Sequence, residues 1–502
     1  MLLVVLGSWL RFHHLAKKSL WSDELFTMAV ALYHPLVPDH GQQWYRPINV
    51  RQIADGDTFL TVKAGEQSPP LQDLLVKASV HAFGASEWSA RLPGAVAACM
   101  LLLWCAWLAW RERDPWLRTV LCWTLLLLVF HPVLVNYAKE GRAYSVGAAM
   151  VGIAALQWLR RWRNGARHWV PPGWLEIVAF ALACYSHYTA LVLVAMLLSA
   201  DLFVACRVRS SLGLKRLLML AVAVLAWLAI NARTIVFTAE GGVAWGPRTA
   251  WQHAFYTLKG SLTVLHPPWL ALCAVLLCVL LARARMLHTS RAPAVPPAQA
   301  TIPVGAWGVL VAIIVLHTSL AGVVAAKVGM AHPRYYIFVV PLAAVAMAVV
   351  LAELRGTALK AAAAVAIVAL AVPWLQKPSW MEQEDYRAMA RYAAQDVTAE
   401  TPFIFPWAPN RDMYRFYLDK MLGRDTRAVL VATSGADDVP RVCARLAQSG
   451  HVVAMGHASG HEFIDGVYAA CGARWPHRLR QEYHTTFAEH WYAQPPATAP
   501  VR

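Results

Sequence analysis

Two adjacent carboxylates, Asp23 and Glu24, stand in Trp21-Ser22-Asp23-Glu24 just past the first apolar stretch of the chain. Carboxylates are costly to place at the mouth of a membrane helix. At a membrane surface one of them can act as general base on a hydroxyl whose proton it reaches. The same residues would serve to start a helix at Leu25, with Ser22 or Asp23 as N-cap. A second group is cationic. Tyr137-Ala138-Lys139-Glu140-Gly141-Arg142-Ala143-Tyr144 falls between two apolar blocks. Lys139 and Arg142 could bind a phosphate there, the arginine through its fork of donors. The plainer alternative is a surface arrangement with Glu140, or basic side chains reaching for the interface. His187-Tyr188 lies at the tip of a short hairpin inside a later block, and His332-Pro333-Arg334-Tyr335-Tyr336 at the head of another. Aromatic residues at that depth commonly anchor helices at the interface, which leaves Arg334 the stronger functional candidate. In His457-Ala458-Ser459-Gly460-His461-Glu462 the two histidines have the i, i+4 spacing that metal sites use on helices. Ser459-Gly460 interrupts a helix there and no third ligand is identifiable, so no metal site is assigned.

The elements that must hold these groups are membrane helices. The 502 residues are 58% hydrophobic and 15% charged, with a mean hydropathy of +0.43; soluble domains carry about 25% charged residues. The apolar residues come in blocks near the bilayer-spanning length of roughly 17–25 residues. These are 92–110, 119–135, 143–159, 174–206, 217–237, 264–282, 304–326, 335–352 and 358–375. Block 174–206 is long enough for two helices turning at Ser186-His187-Tyr188-Thr189. With the N-terminal stretch this makes about eleven spans. Met1–Leu10 falls short of a span, so a first helix that starts upstream is expected.

A net charge of +16 raises the question of nucleic acid. The charge instead follows topology, because cytoplasmic loops are enriched in Lys and Arg. One alternate set of loops carries sixteen basic residues, among them Arg111, Arg160, Arg207, Arg283 and Arg355; the other carries six, including Lys139, Arg142 and Arg334. The poorer set is therefore expected outside, together with segment 11–88 and the tail. No nucleic-acid partner is called for.

Residues 11–88 form a long polar insertion broken by Pro35, Pro38, Pro47, Gly41, Gly56 and Gly65. After Pro69-Pro70, the stretch Leu71 to Phe83 predicts a short helix at the interface. Residues 288–303 read as a Pro/Ala linker. After Trp380 the apolar runs shorten. Asp385 to Ala394 and the stretch starting at Met413 predict helices, and Pro402–Pro406 and Ala428–Ala432 predict strands, so residues 376–502 read as a small α/β domain. Seven cysteines lie in or beside apolar blocks as small hydrophobes. Cys443 and Cys471 stand in the tail, where an oxidising compartment would permit a disulfide.

In order along the chain come Trp-Ser-Asp-Glu, Ser68-Pro69-Pro70-Leu71, Phe83-Gly84-Ala85-Ser86-Glu87-Trp88-Ser89-Ala90-Arg91-Leu92-Pro93, Tyr-Ala-Lys-Glu-Gly-Arg-Ala-Tyr, Ser-His-Tyr-Thr-Ala-Leu and Pro-Arg-Tyr-Tyr. This succession resembles the bacterial multi-spanning glycosyltransferases of the C-type fold, in the branch related to dolichyl-phosphate-mannose–protein mannosyltransferases (family 39-like). The tail segment Asp385-Tyr-Arg-Ala-Met-Ala-Arg-Tyr resembles the soluble domain many of them carry. The resemblance implies an α-helical polytopic membrane protein, with a transmembrane module over 1–375 (its first extracytoplasmic loop, 11–88, carrying the catalytic motif) and an extracytoplasmic α/β domain over 376–502. It implies an inverting enzyme of the bacterial cytoplasmic membrane that moves a hexosyl or pentosyl group from a polyprenyl phosphate to an acceptor hydroxyl. The acceptor is a lipid, a glycan or a protein. Asp23 takes the role of base with Glu24 in support. Arg142, Arg334 and Lys139 are the candidates for the donor phosphate, with Lys17 and Lys18 behind them. His187, Tyr188, Tyr335 and Glu140 are candidates for the substrate cavity. No metal ligand is assigned; a divalent cation is the one cofactor kept open.

The lipid A aminoarabinose transferases have Arg three residues after the motif Asp and Lys just before Pro-Pro-Leu. Here Phe26 and Ser68 stand at those places, which argues against an aminoarabinose donor. A transporter or flippase of a lipid-linked precursor is the alternative function. It should carry ionisable groups near mid-membrane, where this chain has only isolated polar residues such as Asn231 and His317.

Overall fold

The computed structural model describes residues 1–34, 58–59, 62–63, 69–164, 170–207, 209–230, 252, 259–260, 262–276, 278, 308, 311–320, 333–376, 385–406, 411–432, 439–457, 460–483 and 485–496. The expected linker 288–303, Asn231, His332 and the loop residues Asp55, Asp57, Glu66 and Ser68 lie outside them. The chain forms two compact units. One comprises Met1–His13, Gln67–Gln72 and Arg91–Lys377; the other comprises His14–Glu66, Asp73–Ala90 and Pro378–Arg502.

The first unit is a set of apolar helices. Among the described residues four are long and apolar enough to cross a membrane: Glu87–Arg111, Thr189–Arg207, Arg334–Ala352 and Thr357–Gln376. Shorter apolar helices are Leu2–Phe12, Pro115–Phe130, Trp174–Ser186, Pro267–Leu276 and Val311–Leu320. Their packing differs sharply. The most apolar window of Arg334–Ala352 is 89% buried, whereas that of Thr357–Gln376 is 17% buried. An all-round hydrophobic helix must be covered by protein or by lipid, so the second kind is suited to lipid. Large apolar side chains such as Trp110, Phe203, Leu218 and Val365 are exposed in the same way.

Local chemistry explains where these helices break. Asp114 caps Pro115–Phe130 by accepting the backbone N–H groups of Trp116 at 2.9 Å and Leu117 at 3.3 Å, with Pro115 at the first helical position. Pro132 then starts the short helix Pro132–Tyr137. The carbonyls left at the break are covered by Arg11, which is buried and donates to Leu128 O at 2.8 Å and Val129 O at 3.5 Å. The block 174–206 divides as expected, into Trp174–Ser186 and Tyr188–Arg207, with His187 between them in extended conformation.

The second unit is built on a five-stranded sheet, β1 (Phe403–Phe405), β2 (Leu430–Ala432), β3 (His451–His457), β4 (His477–Tyr483) and β5 (Thr486–Tyr492). The order is β2-β1-β3-β5-β4, parallel across β2-β1-β3 and antiparallel across β3-β5-β4. Alternate residues of β3 face opposite ways. Val452 and Ala454 join Trp475 and Trp491 and the helices Val439–Leu446 and His461–Cys471. Val453 and Met455 join the helices Tyr386–Ala393 and Arg411–Leu422. That second core also takes in Leu20, Leu25, Met28 and Ala31. The helix Ser22–Tyr33, which carries the carboxylate pair, therefore shares its core with the sheet. Cys443 and Cys471 form a disulfide, with Cα atoms 5.8 Å apart, tying the two helices of the other face. His457 ends β3 and His461 begins a helix. Their spacing of four therefore does not place them on one helical face.

Candidate active site

In the second unit, the Trp21–Glu24 motif forms the start of the helix Ser22–Tyr33. The N-cap is Trp21, in extended conformation, rather than Ser22 or Asp23. The helix begins before the expected start at Leu25 because Glu24, at the third helical position, reaches back and accepts the Trp21 N–H at 3.2 Å. This is one half of a capping box. Glu24 is fully buried, while Asp23 is half-buried. Of the two carboxylates, Glu24 is turned to the backbone and Asp23 keeps access to solvent.

Both ends of this helix are fixed. The Leu20 N–H donates to the Tyr417 hydroxyl at 2.8 Å, and Ser19 Oγ lies 3.3 Å from the same oxygen. At the other end Lys77 Nζ donates to Ala31 O at 2.7 Å and His34 O at 2.8 Å. A cation on the last carbonyls suits the negative end of the helix dipole. Burial holds the Lys77 ammonium below its usual range, and its two carbonyl contacts sustain the charge. Tyr33 donates to Asp419 at 3.3 Å and lies under the Arg415 guanidinium, 4.0 Å from ring centroid to Cζ. Lys17 and Lys18 are exposed. Lys63 makes a buried ion pair with Asp73 at 2.7 Å.

In the first unit, Lys139, Glu140 and Arg142 lie in the turn between the helices Pro132–Tyr137 and Tyr144–Asn164. Arg334 and Tyr335 lie in the 3-10 helix Pro333–Val339. The structure brings these segments together around His187. Its ring is 5.3 Å from Tyr144, 5.8 Å from Tyr335 and 5.1 Å from Phe338. The charges of Arg142 and Arg334 both bear on this imidazole. Tyr137 packs edge-on against Tyr144 at 5.4 Å and feels the charges of both Glu140 and Arg334. Arg334 is further seated on Tyr335, 5.6 Å from its ring centre. His187 Nδ1 accepts the Thr189 N–H at 3.2 Å. In the neutral ring this leaves the proton on Nε2. Lys139 and Arg142 are half-buried and Glu140 is buried. Tyr188 opens the next helix; its side chain lies outside the described residues.

Two glycines make this cluster geometrically feasible. A Cβ at Gly94 would stand 3.0 Å from Glu140 O and 3.4 Å from Ala138 O, so the helix Glu87–Arg111 can meet the Lys139–Arg142 turn only through a glycine. Ser145 Oγ donates to Gly94 O at 2.8 Å and closes the contact. A Cβ at Gly147 would stand 2.5 Å from the Phe338 ring. Sequence reasoning passed over both glycines, and also Tyr417 and Lys77. None of these has a motif of its own; their roles come from what lies across from them in space. Among the described residues no group of three His, Cys, Asp or Glu side chains is placed to hold a metal ion.

No family model and no curated protein matches the sequence. Solved structures do match the fold. ArnT from Cupriavidus metallidurans bound to undecaprenyl phosphate aligns with a TM-score of 0.55 at 15% identity, over 97% of each chain. The apo state of the same protein aligns at 0.48 and 15%, over 93% of this chain and 95% of that one. The archaeal oligosaccharyltransferase AglB from Archaeoglobus fulgidus, in complex with an inhibitory peptide and a dolichol-phosphate, aligns at 0.44 and 11%, over 97% of this chain and 73% of that one. With its apolar helices and its end-to-end likeness to the first of these structures, the chain has the C-type glycosyltransferase fold.

Proposed function

We propose that this protein is an inverting glycosyltransferase that moves a sugar from a polyprenyl-phosphate donor to an acceptor hydroxyl at the outer face of a bacterial cytoplasmic membrane. What supports this reading is the packing of His187 against Tyr144 and Tyr335, which stand close to Arg142 and Arg334 in sequence, so that the imidazole feels both positive charges. Ionisable groups inside membrane proteins are costly and mark functional sites. Two positive charges acting on one imidazole make a setting that suits an anion. Arginine suits a phosphate in particular, through paired, charge-assisted hydrogen bonds. The fold likeness adds the chemical class, since the ArnT structure holds undecaprenyl phosphate.

In this reading Asp23 takes the proton from the acceptor hydroxyl as its oxygen attacks the anomeric carbon. The bond from that carbon to the phosphate oxygen breaks on the opposite face, which inverts the configuration. The polyprenyl phosphate leaves as an anion and needs positive charge more than a proton. Arg142 and Arg334, with Lys139, supply it where charge develops. The Nε2–H of His187 and the hydroxyl of Tyr335 are suited to hold the donor, with Tyr188 next to His187 in sequence and Glu140 next to Lys139. Glu24 supports Asp23 by holding the first turn of its helix. The transferred group is a hexose or pentose, and the acceptor a lipid, a glycan or a protein.

The extracytoplasmic orientation is supported by the sparse positive charge of the loops carrying Lys139, Arg142 and Arg334, and by the Cys443–Cys471 disulfide, a bond favoured outside the reducing cytosol. The test is sugar transfer by membranes containing the wild-type or the Asp23→Asn protein, supplied with radiolabelled polyprenyl-phosphate sugars. Loss of transfer at normal expression is expected. Unchanged transfer overturns the assignment of Asp23. A reporter fused after residue 380 should be active only as an exported protein; cytoplasmic activity overturns the orientation.

A further inference from the structure

We propose that Tyr417 and Arg387 are positioning residues for Asp23, so that the C-terminal segment is part of the catalytic apparatus rather than an appended module. The inference rests on the proposed role of Asp23 as base. Its ground is the set of contacts made to the five residues before the motif. Tyr417 is buried and accepts the N–H of Leu20, itself fully buried, at 2.8 Å. Burial and the nearby Glu87 charge push the Tyr417 phenol up, which keeps its hydroxyl neutral and fixed in that role. Arg387 holds the same segment. Its backbone N–H donates to Ser19 Oγ at 3.1 Å. Its guanidinium donates to Ala16 O at 3.2 Å, Lys17 O at 3.4 Å and Lys18 O at 3.0 Å. The guanidinium is held in turn by Glu87, at 2.8 Å, and the other Glu87 oxygen takes Lys420 at 3.1 Å.

The turn that delivers the motif is thus gripped by one side chain on each of the helices Tyr386–Ala393 and Arg411–Leu422. Asp23 lies three residues beyond the last gripped backbone group, in the first turn of a rigid helix. A shift of the turn is passed on to its carboxylate. Misplacement of a reacting group by about 1 Å costs on the order of 100-fold in rate. The planar fork spans three successive carbonyls and also pairs with Glu87, a reach that the single nitrogen of a lysine does not match.

The experiment measures donor titrations with the purified full-length protein for Tyr417→Phe, Arg387→Lys and Arg387→Ala. Thermal melting establishes that each is folded at the assay temperature. Backbone amide exchange over residues 14–25 is followed in parallel. A positioning role predicts kcat lower by about 100-fold at unchanged donor KM, faster exchange at Leu20 and no rescue by lysine at 387. Wild-type kcat in Tyr417→Phe and Arg387→Lys, while Asp23→Asn is inactive, overturns this inference alone. Full recovery by Arg387→Lys of what Arg387→Ala loses does the same for Arg387, since the Glu87 ion pair would then suffice. Full activity of Asp23→Asn overturns the proposed base and this inference with it.

Discussion

The carboxylate of Glu24 accepts the backbone N–H of Trp21 at 3.2 Å, three residues back along the chain. The two neighbouring carboxylates thereby differ in setting, and different roles are expected of them. Asp23→Asn is expected to lower sugar transfer by about 10²–10⁴-fold, the usual contribution of a positioned general base. Glu24→Gln keeps an acceptor at the same helix position and should retain most activity. Glu24→Ala should cost about 1 kcal/mol of stability, as cap removals do. Initial rates and melting temperatures of the three variants decide the matter; equal rate losses in Asp23→Asn and Glu24→Gln would show that the roles are not divided.

The charges of Arg142 and Arg334 both bear on His187 although the residues come from distant parts of the chain. Replacing either with Ala should reduce kcat/KM for a polyprenyl-phosphate donor by about 10²–10³-fold, the scale for loss of one stabilising group opposite a developing charge. Lysine at 334 should restore little, because the position combines a fork of donors with a seat on the Tyr335 ring. Retained binding of a non-hydrolysable polyprenyl phosphonate by the double alanine variant would remove these residues from the phosphate site.

Gly94 faces the carbonyl of Glu140 across a helix contact. Gly94→Ala requires the Lys139–Arg142 turn to move by several tenths of an ångström. The expected result is a loss of about 1–3 kcal/mol from overpacking, with a raised donor KM. The neighbouring exposed position Val96 is the control: Val96→Ala should leave both quantities near wild type.

Breaking the Cys443–Cys471 bridge should destabilise the sheet unit by about 3 kcal/mol, the typical value for a loop of this size. Cys443→Ser and reduction of the wild type should lower its melting temperature alike. In cells, thiol labelling of these two cysteines after denaturation without reductant should be absent. Full labelling would place the tail in a reducing compartment.

The sheet unit should also lose stability in acid. His451 Nε2 lies 2.9 Å from His490 Nδ1, and His451 stacks on Tyr492 at 4.3 Å. Burial, followed by the charge of His490, pushes His451 down to about 4 from 6.5. Burial also lowers His490. The unfolded chain therefore binds more protons in this range. The stabilisation is fully present above about pH 6.5 and is lost as the pH falls toward about 4. Melting curves between pH 7 and 4 should show this slope, and His451→Gln should flatten it.

Much of the molecule was legible along the chain because local rules decide it. The helices Leu71–Phe83 and Tyr386–Ala393, the break at His187 and the strands around Ile404 and Val431 all follow from prolines, caps and short apolar runs that act on their neighbours. The residue types of the candidate site were legible for the same reason: a carboxylate pair, and basic and aromatic residues at the ends of apolar blocks. Glu24 is where local reading set the start of the helix too late. The competition between Ser22, Asp23 and Glu24 for the cap depends on which carboxylate can fold back, and burial of Glu24 settles it.

Long-range pairing was decided only by the tertiary structure. Nothing near Leu20 specifies that its N–H will meet Tyr417, and nothing near Cys443 specifies Cys471. Nor could the sequence assign Gly94 to Glu140, or gather Arg142, Arg334 and Tyr335 around one imidazole. Such contacts join segments whose order along the chain carries no information about their distance in space. By itself the sequence determined that this is a chain of membrane helices with a carboxylate pair and a few well-placed cations. The tertiary structure decided which of those cations act on one imidazole and which side chains hold the turn before the carboxylate pair, because only packing makes distant residues neighbours.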